Sequence, residues 1–83
     1  MDNYNSNTQQ FSSYDLGLAA SLVCSGFPVD FLDKSNPRKV EFYFQRADGL
    51  DQAIQMYWAN QLQVPALSYF NALKMLKNRI YSE

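Results

Sequence analysis

Eighty-three residues make room for one small domain, and 47% hydrophobic content with six Phe, six Tyr and one Trp is too rich for a disordered chain. Seven basic residues against eight acidic ones give a net charge of −1, which excludes both a histone-like polycation and an acidic tail. The absence of histidine and the single cysteine, Cys24, exclude a Ser-His pair, an internal disulfide and a multi-thiolate metal site.

Residues 1–11 are polar and lack periodicity, and read as a flexible lead with Tyr4 and Phe11 as its anchors. They carry neither a basic start nor an apolar stretch, so no signal peptide is predicted. The folded domain is expected over residues 12–83. Ser12-x-x-Asp15 has the spacing of a capping box, with Asp in place of the usual Glu. It opens a helix through Leu16, Leu18, Ala19, Ala20, Leu22 and Val23, which Gly26 closes and Pro28 stops.

Two strands follow, Phe27–Asp33 and Lys39–Arg46. In the second, Val40, Phe42 and Phe44 alternate with Glu41, Tyr43 and Gln45, the period of a half-buried strand. Asn36-Pro37 in the polar run between them marks a turn, so an antiparallel hairpin is predicted. A bare two-stranded hairpin is marginal in water and leaves two open edges, which a second copy of the chain is expected to extend or cover.

Asp48 is the expected N-cap of a second helix, in which Leu50, Ala53, Ile54, Tyr57 and Trp58 share one face. Trp58 is assigned to the core, and Gln52, Gln55, Met56 and Ala59 to the opposite face. Pro65 suits the first position of a third helix. There Ala66, Tyr69, Phe70, Leu73, Leu76 and Ile80 form an apolar arc, with Lys77 inside it. A lysine so placed snorkels, pairs with Asp30 or Asp33, or points at a partner. The prediction is a single α+β domain in the order αββαα.

Several residues along this order resemble a family of small uncharacterised bacterial and mobile-element proteins, a domain of unknown function common in cyanobacteria and phages. They are Asp15-Leu16-x-Leu18-Ala19-Ala20-x-Leu22, Gly26-Phe27, Val40-x-Phe42-x-Phe44, Tyr57-Trp58 and Phe70-Asn71-Ala72-Leu73-x-x-Leu76-Lys77-x-Arg79-Ile80-Tyr81. The resemblance spans roughly residues 14–81. It implies a small accessory protein of phage, plasmid or transposon biology and supplies no catalytic residue.

Charge is segregated along the chain. Residues 34–46 hold Lys34, Arg38, Lys39 and Arg46 against Glu41 alone, and residues 66–82 hold Lys74, Lys77 and Arg79 with no acid. Hairpin tip and last helix are therefore expected to share a basic face, with Tyr43 and Tyr81 as stacking surfaces beside it. The plain alternative is a solvated surface, with cations near a helix C-terminus favoured by its dipole. Gly17, Ser21, Cys24 and Ser25 form a small-residue stripe on the first helix, which admits a close neighbour from within the chain or from a partner.

Scattered glycines exclude a phosphate loop, and the carboxylates lack EF-hand spacing. No catalytic residue, cofactor, metal, membrane span or small-molecule substrate is expected. The predicted function is a non-enzymatic, cytoplasmic protein-interaction module, either a homo-oligomer or an adapter. The alternative is a nucleic-acid-binding accessory protein using Lys34, Arg38, Lys39, Tyr43, Arg46, Lys74, Lys77 and Tyr81.

Overall fold

In a computed structural model that describes residues 9–82, five consecutive residues, Leu18 to Leu22, are all buried. At 100° per residue they run through a full turn, so the middle of this helix has no solvent face. It is α1, Leu16–Cys24, and the rest of the fold is built around it. Ala19 and Ala20 are small enough to let neighbouring elements approach from several sides.

Strand β1, Gln10–Ser13, precedes α1. Strands β2, Phe31–Asp33, and β3, Glu41–Gln45, follow it. Helices α2, Leu50–Trp58, and α3, Ala66–Tyr81, complete the chain. The predicted order of helix, two strands and two helices stands, with one strand added in front. The sheet is antiparallel throughout in the order β1-β3-β2.

Strand β1 corrects the reading of residues 10 and 11 as flexible lead; residues 1–8 lie outside the described residues. Four residues of sequence Gln-Phe-Ser-Ser are too short to show a period. Their strand comes from non-local pairing, with Phe11 opposite Phe44 and Ser13 opposite Phe42. One edge of the predicted hairpin is thus covered from within the chain and not by a second copy.

The alternation of β3 is obeyed. Phe42 and Phe44 are fully buried against the helices, while Glu41, Tyr43 and Gln45 face outward. Leu18, Leu22, Leu50 and Leu76 complete the largest buried side chains. At about 25 cal/mol per Å² of apolar surface, these positions contribute most of the drive to fold.

The caps differ from expectation in instructive ways. Asp15 is itself the N-cap of α1, accepting a hydrogen bond from Leu18 N at 2.8 Å, so Ser12 plays no capping part and stays in β1. Gly49, at φ +89°, takes the N-cap of α2 in place of Asp48. Pro65 sits one position earlier than predicted, at the N-cap of α3, where its missing N–H is still no loss. The C-terminus of α1 closes as predicted, with Gly26 at φ +100°. Gly26 N donates to Val23 O and Phe27 N to Leu22 O, the paired bonds of a Schellman motif.

The buried stripe of α3 is rotated from the predicted arc. Ala72 and Leu76 are buried, with Tyr69, Leu73 and Ile80 partly so, while Ala66 and Phe70 are exposed. Lys77 therefore lies in solvent. Asp30 is engaged by Gln10 and Gln45, and Asp33 by Ser35, so neither is the lysine's partner.

Candidate functional surfaces

The hairpin tip and the end of the last helix do meet. Asn36 O accepts from Lys39 N at 3.1 Å, closing a turn with Pro37 at its second position. The Asp33 carboxylate accepts from both the backbone N and the hydroxyl of Ser35, which holds it below the usual carboxylate range. These bonds set the tip so that Lys34 Nζ donates to the carbonyl oxygens of Arg79 and Ser82. Arg38 and Lys39 then border an open cleft of about 420 Å³ with Tyr14, Phe42, Ile80 and Tyr81.

The predicted basic set does not form one surface. Lys34, Arg38, Lys39 and Tyr81 lie at this junction, and Lys77 is one helical turn before Tyr81 on the same face of α3. Lys39 stands over the Tyr14 ring at 4.5 Å, and Lys74 over the Phe70 ring at 5.4 Å. Arg46, at the far end of β3, is paired with Asp51 and lies over Phe11.

Tyr43 is also removed from the basic group. It projects from the outer face of the sheet and stacks on Phe31, with ring centroids 4.4 Å apart and planes 8° from parallel. Its hydroxyl donates to Glu41, and Asp33 lies opposite Glu41 in the next strand. A base stacked there would meet carboxylates, not cations. The alternation of β3 already put Glu41 and Tyr43 on one face; what it lacked was the register that adds Phe31 and Asp33.

A second surface surrounds Trp58, which is 62% exposed and not in the core as predicted. Its indole meets the Tyr57 ring edge-on, centroids 4.9 Å apart and planes at 82°. The polypeptide turns sharply just beyond. Asn60 N donates to Tyr57 O and Gln61 N to Met56 O, a second Schellman motif, with Asn60 at φ +62° where glycine is usual. The turn leaves an open cleft of about 410 Å³, lined by Ser21, Tyr57, Trp58, Asn60, Leu62 and Tyr69.

From the small-residue stripe of α1, Ser21 lines this cleft, and Gly17 lies beside the hydroxyls of its two tyrosines. A Cβ at Gly17 would stand 2.7 Å from Tyr57 Oη, 3.3 Å from Asp15 Oδ1 and 3.4 Å from Tyr69 Oη. Glycine thus lets three oxygens converge on bare backbone. Tyr57 ionises above the ordinary phenol range, first because it is buried and then because Asp15 is near. Further along, Ser21 is buried and Ser25 Oγ donates to its carbonyl. The stripe therefore packs within the chain. Burial pushes the thiol of half-buried Cys24 up, away from nucleophilic reactivity.

Comparison with known families matches residues 8–82 to a domain of unknown function, DUF5659. The chain belongs to this family. The match begins before β1, so the DUF5659 domain takes in the added strand as well as the elements behind the resemblance drawn from sequence. No curated protein and no solved structure matches the chain. Among the described residues, no helix is long and apolar enough to cross a membrane.

Proposed function

We propose that this DUF5659 protein is a non-enzymatic protein-interaction module, a small cytoplasmic accessory protein that self-associates or serves as an adapter, in the setting of a mobile genetic element. The observation that supports the reading is the exposure of large side chains beyond a core already closed without them. Trp58, Leu67, Phe70 and Tyr81 are 62%, 71%, 56% and 82% exposed. Trp and Tyr are among the residue types that most often anchor protein interfaces, and Leu67 and Phe70, three residues apart, lie on one face of α3.

The test is affinity purification of the tagged protein at moderate salt, with and without nuclease. A specific partner or self-associated form is expected, resistant to nuclease and to high salt, and lost in Trp58→Ala while far-UV circular dichroism is unchanged. Recovery of only monomer and no partner from the parent protein overturns the reading.

The second reading is nucleic-acid binding, favoured by the meeting of Arg38, Lys39 and Tyr81 at one cleft. It requires affinity for DNA or RNA that falls steeply with salt and weakens in Arg38→Glu. Absence of binding at low ionic strength dismisses it.

A further inference from the structure

We propose that the cleft beside Trp58 receives a cationic side chain, an arginine or lysine presented by a partner protein, with Tyr57, Trp58 and Tyr69 as its aromatic walls and Asp15 as counter-charge. This rests on the protein-interaction reading and specifies the chemistry of the partner.

Shape is the first argument. The cleft opens to solvent and is large enough for one long side chain and its flanking backbone. The Tyr57 and Trp58 ring planes are nearly perpendicular, at 82°. Trp58, 62% exposed, leaves ring surface open to solvent, and a cation is attracted to ring faces most strongly at Trp.

Charge is the second. Among the described residues, no lysine or arginine lines the cleft. The ionised group beside its hydroxyls is Asp15, with Oδ1 3.5 Å from Tyr57 Oη. That carboxylate accepts from Leu18 N in a partly buried environment, where a charge acts through a dielectric lower than that of water. An anionic ligand is repelled here.

Hydrogen bonding is the third. Ser21, Tyr57 and Tyr69 offer hydroxyl oxygens with lone pairs, and Asn60 adds an amide. Gly17 keeps the Tyr57, Tyr69 and Asp15 oxygens close together. Each of these groups can accept from the N–H of a cation, and the Asp15 carboxylate behind Tyr57 accepts only. Guanidinium carries five N–H donors and ammonium three, with no acceptor in either.

The single tryptophan makes the test direct, because all indole emission comes from Trp58. The probes are acetyl-Gly-Arg-Gly-amide and its norleucine counterpart, titrated against the whole chain at low ionic strength. A saturable change in emission is expected with the arginine peptide and not with norleucine. Asp15→Asn retains an N-cap acceptor for Leu18 N and is expected to weaken arginine binding about three- to tenfold with unchanged circular dichroism. In Trp58→Ala, amide NMR shifts around Ser21 and Leu62 on adding the arginine peptide should disappear. No saturable response, equal response to norleucine, or undiminished affinity in Asp15→Asn each overturns the proposal. An equal response to norleucine removes the cation and leaves an apolar anchor, so the interaction reading survives; that reading falls by its own purification test.

Discussion

The Lys34 ammonium donates to the Arg79 carbonyl oxygen at 2.9 Å and to the Ser82 carbonyl oxygen at 2.7 Å, tying the hairpin tip to the C-terminus of α3. The last carbonyls of a helix have no partner within it and carry the negative end of its dipole. Lys34 meets both needs from 45 residues away in sequence, so it acts as a remote C-cap. Lys34→Met should lower stability by about 0.5–1 kcal/mol, read as a shift in the urea midpoint, and Lys34→Glu by more. Hydrogen exchange should quicken selectively at the end of α3. A charge-reversed variant as stable as the parent would show that the contact is incidental.

Gly17 and Tyr57 should be energetically coupled. Alanine is favoured over glycine within a helix by about 1 kcal/mol, yet a Cβ here would stand 2.7 Å from the Tyr57 hydroxyl oxygen. Gly17→Ala is therefore expected to destabilise the parent. In a Tyr57→Phe background the closest atom is gone, and the same change should cost less by about 1 kcal/mol. A double-mutant cycle by chemical denaturation measures this, and additive effects would contradict the close approach.

The fate of each expectation follows from the range of the interaction behind it. Gly26 as the end of α1, the Asn36-Pro37 turn and the two faces of β3 were legible, because local backbone geometry and a period of two decide them. Strand β1 was not, since its four residues gain their structure from β3, some 30 residues later. Trp58 misled for a related reason. It shares an arc with Ile54, but α2 ends at that residue and the Asn60 turn carries the chain away before anything covers the indole. Lys34 at the end of α3 brought about the predicted meeting of hairpin tip and last helix, whereas the separation of Arg46 and Tyr43 from it depended on length and facing along β3. The Trp58 cleft was half visible, in the Tyr57-Trp58 pair and the Gly17 stripe, and only tertiary packing brought Tyr69 to them.

Asn60 and Gly26 occupy equivalent positions in two Schellman motifs, with φ of +62° and +100°. Asn tolerates this conformation better than other side chains, though less well than glycine. Asn60→Gly should be neutral or stabilising by a few tenths of a kcal/mol, whereas Asn60→Val should cost about 1–2 kcal/mol. At Gly26 a Cβ would meet nothing within 4 Å, so Gly26→Ala isolates the backbone cost, about 1 kcal/mol. Thermal denaturation of the three variants checks both sites. Equal stability of Asn60→Gly and Asn60→Val would remove the left-handed turn from the account.

Tyr57 and Tyr43 should be the late-titrating phenols. Burial is the largest cause at both, followed at Tyr43 by the hydrogen bond to Glu41 and at Tyr57 by the charge of Asp15. Both pKa values are raised, so the folded state holds these protons more tightly than the unfolded chain. The associated stability is fully present below the ordinary phenol value of about 10, and is lost as pH rises through the higher folded values. Ultraviolet difference titration should show ionisation above that of model tyrosine, with Tyr57→Phe and Tyr43→Phe each removing part of the late transition. Denaturation midpoints should fall on the alkaline side and fall less in Tyr57→Phe. In Asp15→Asn the Tyr57 phenol should titrate earlier, because one of the charges opposing its ionisation is gone. An unchanged Tyr57 titration in that variant would mean that the Asp15 charge does not reach the hydroxyls at the base of the Trp58 cleft.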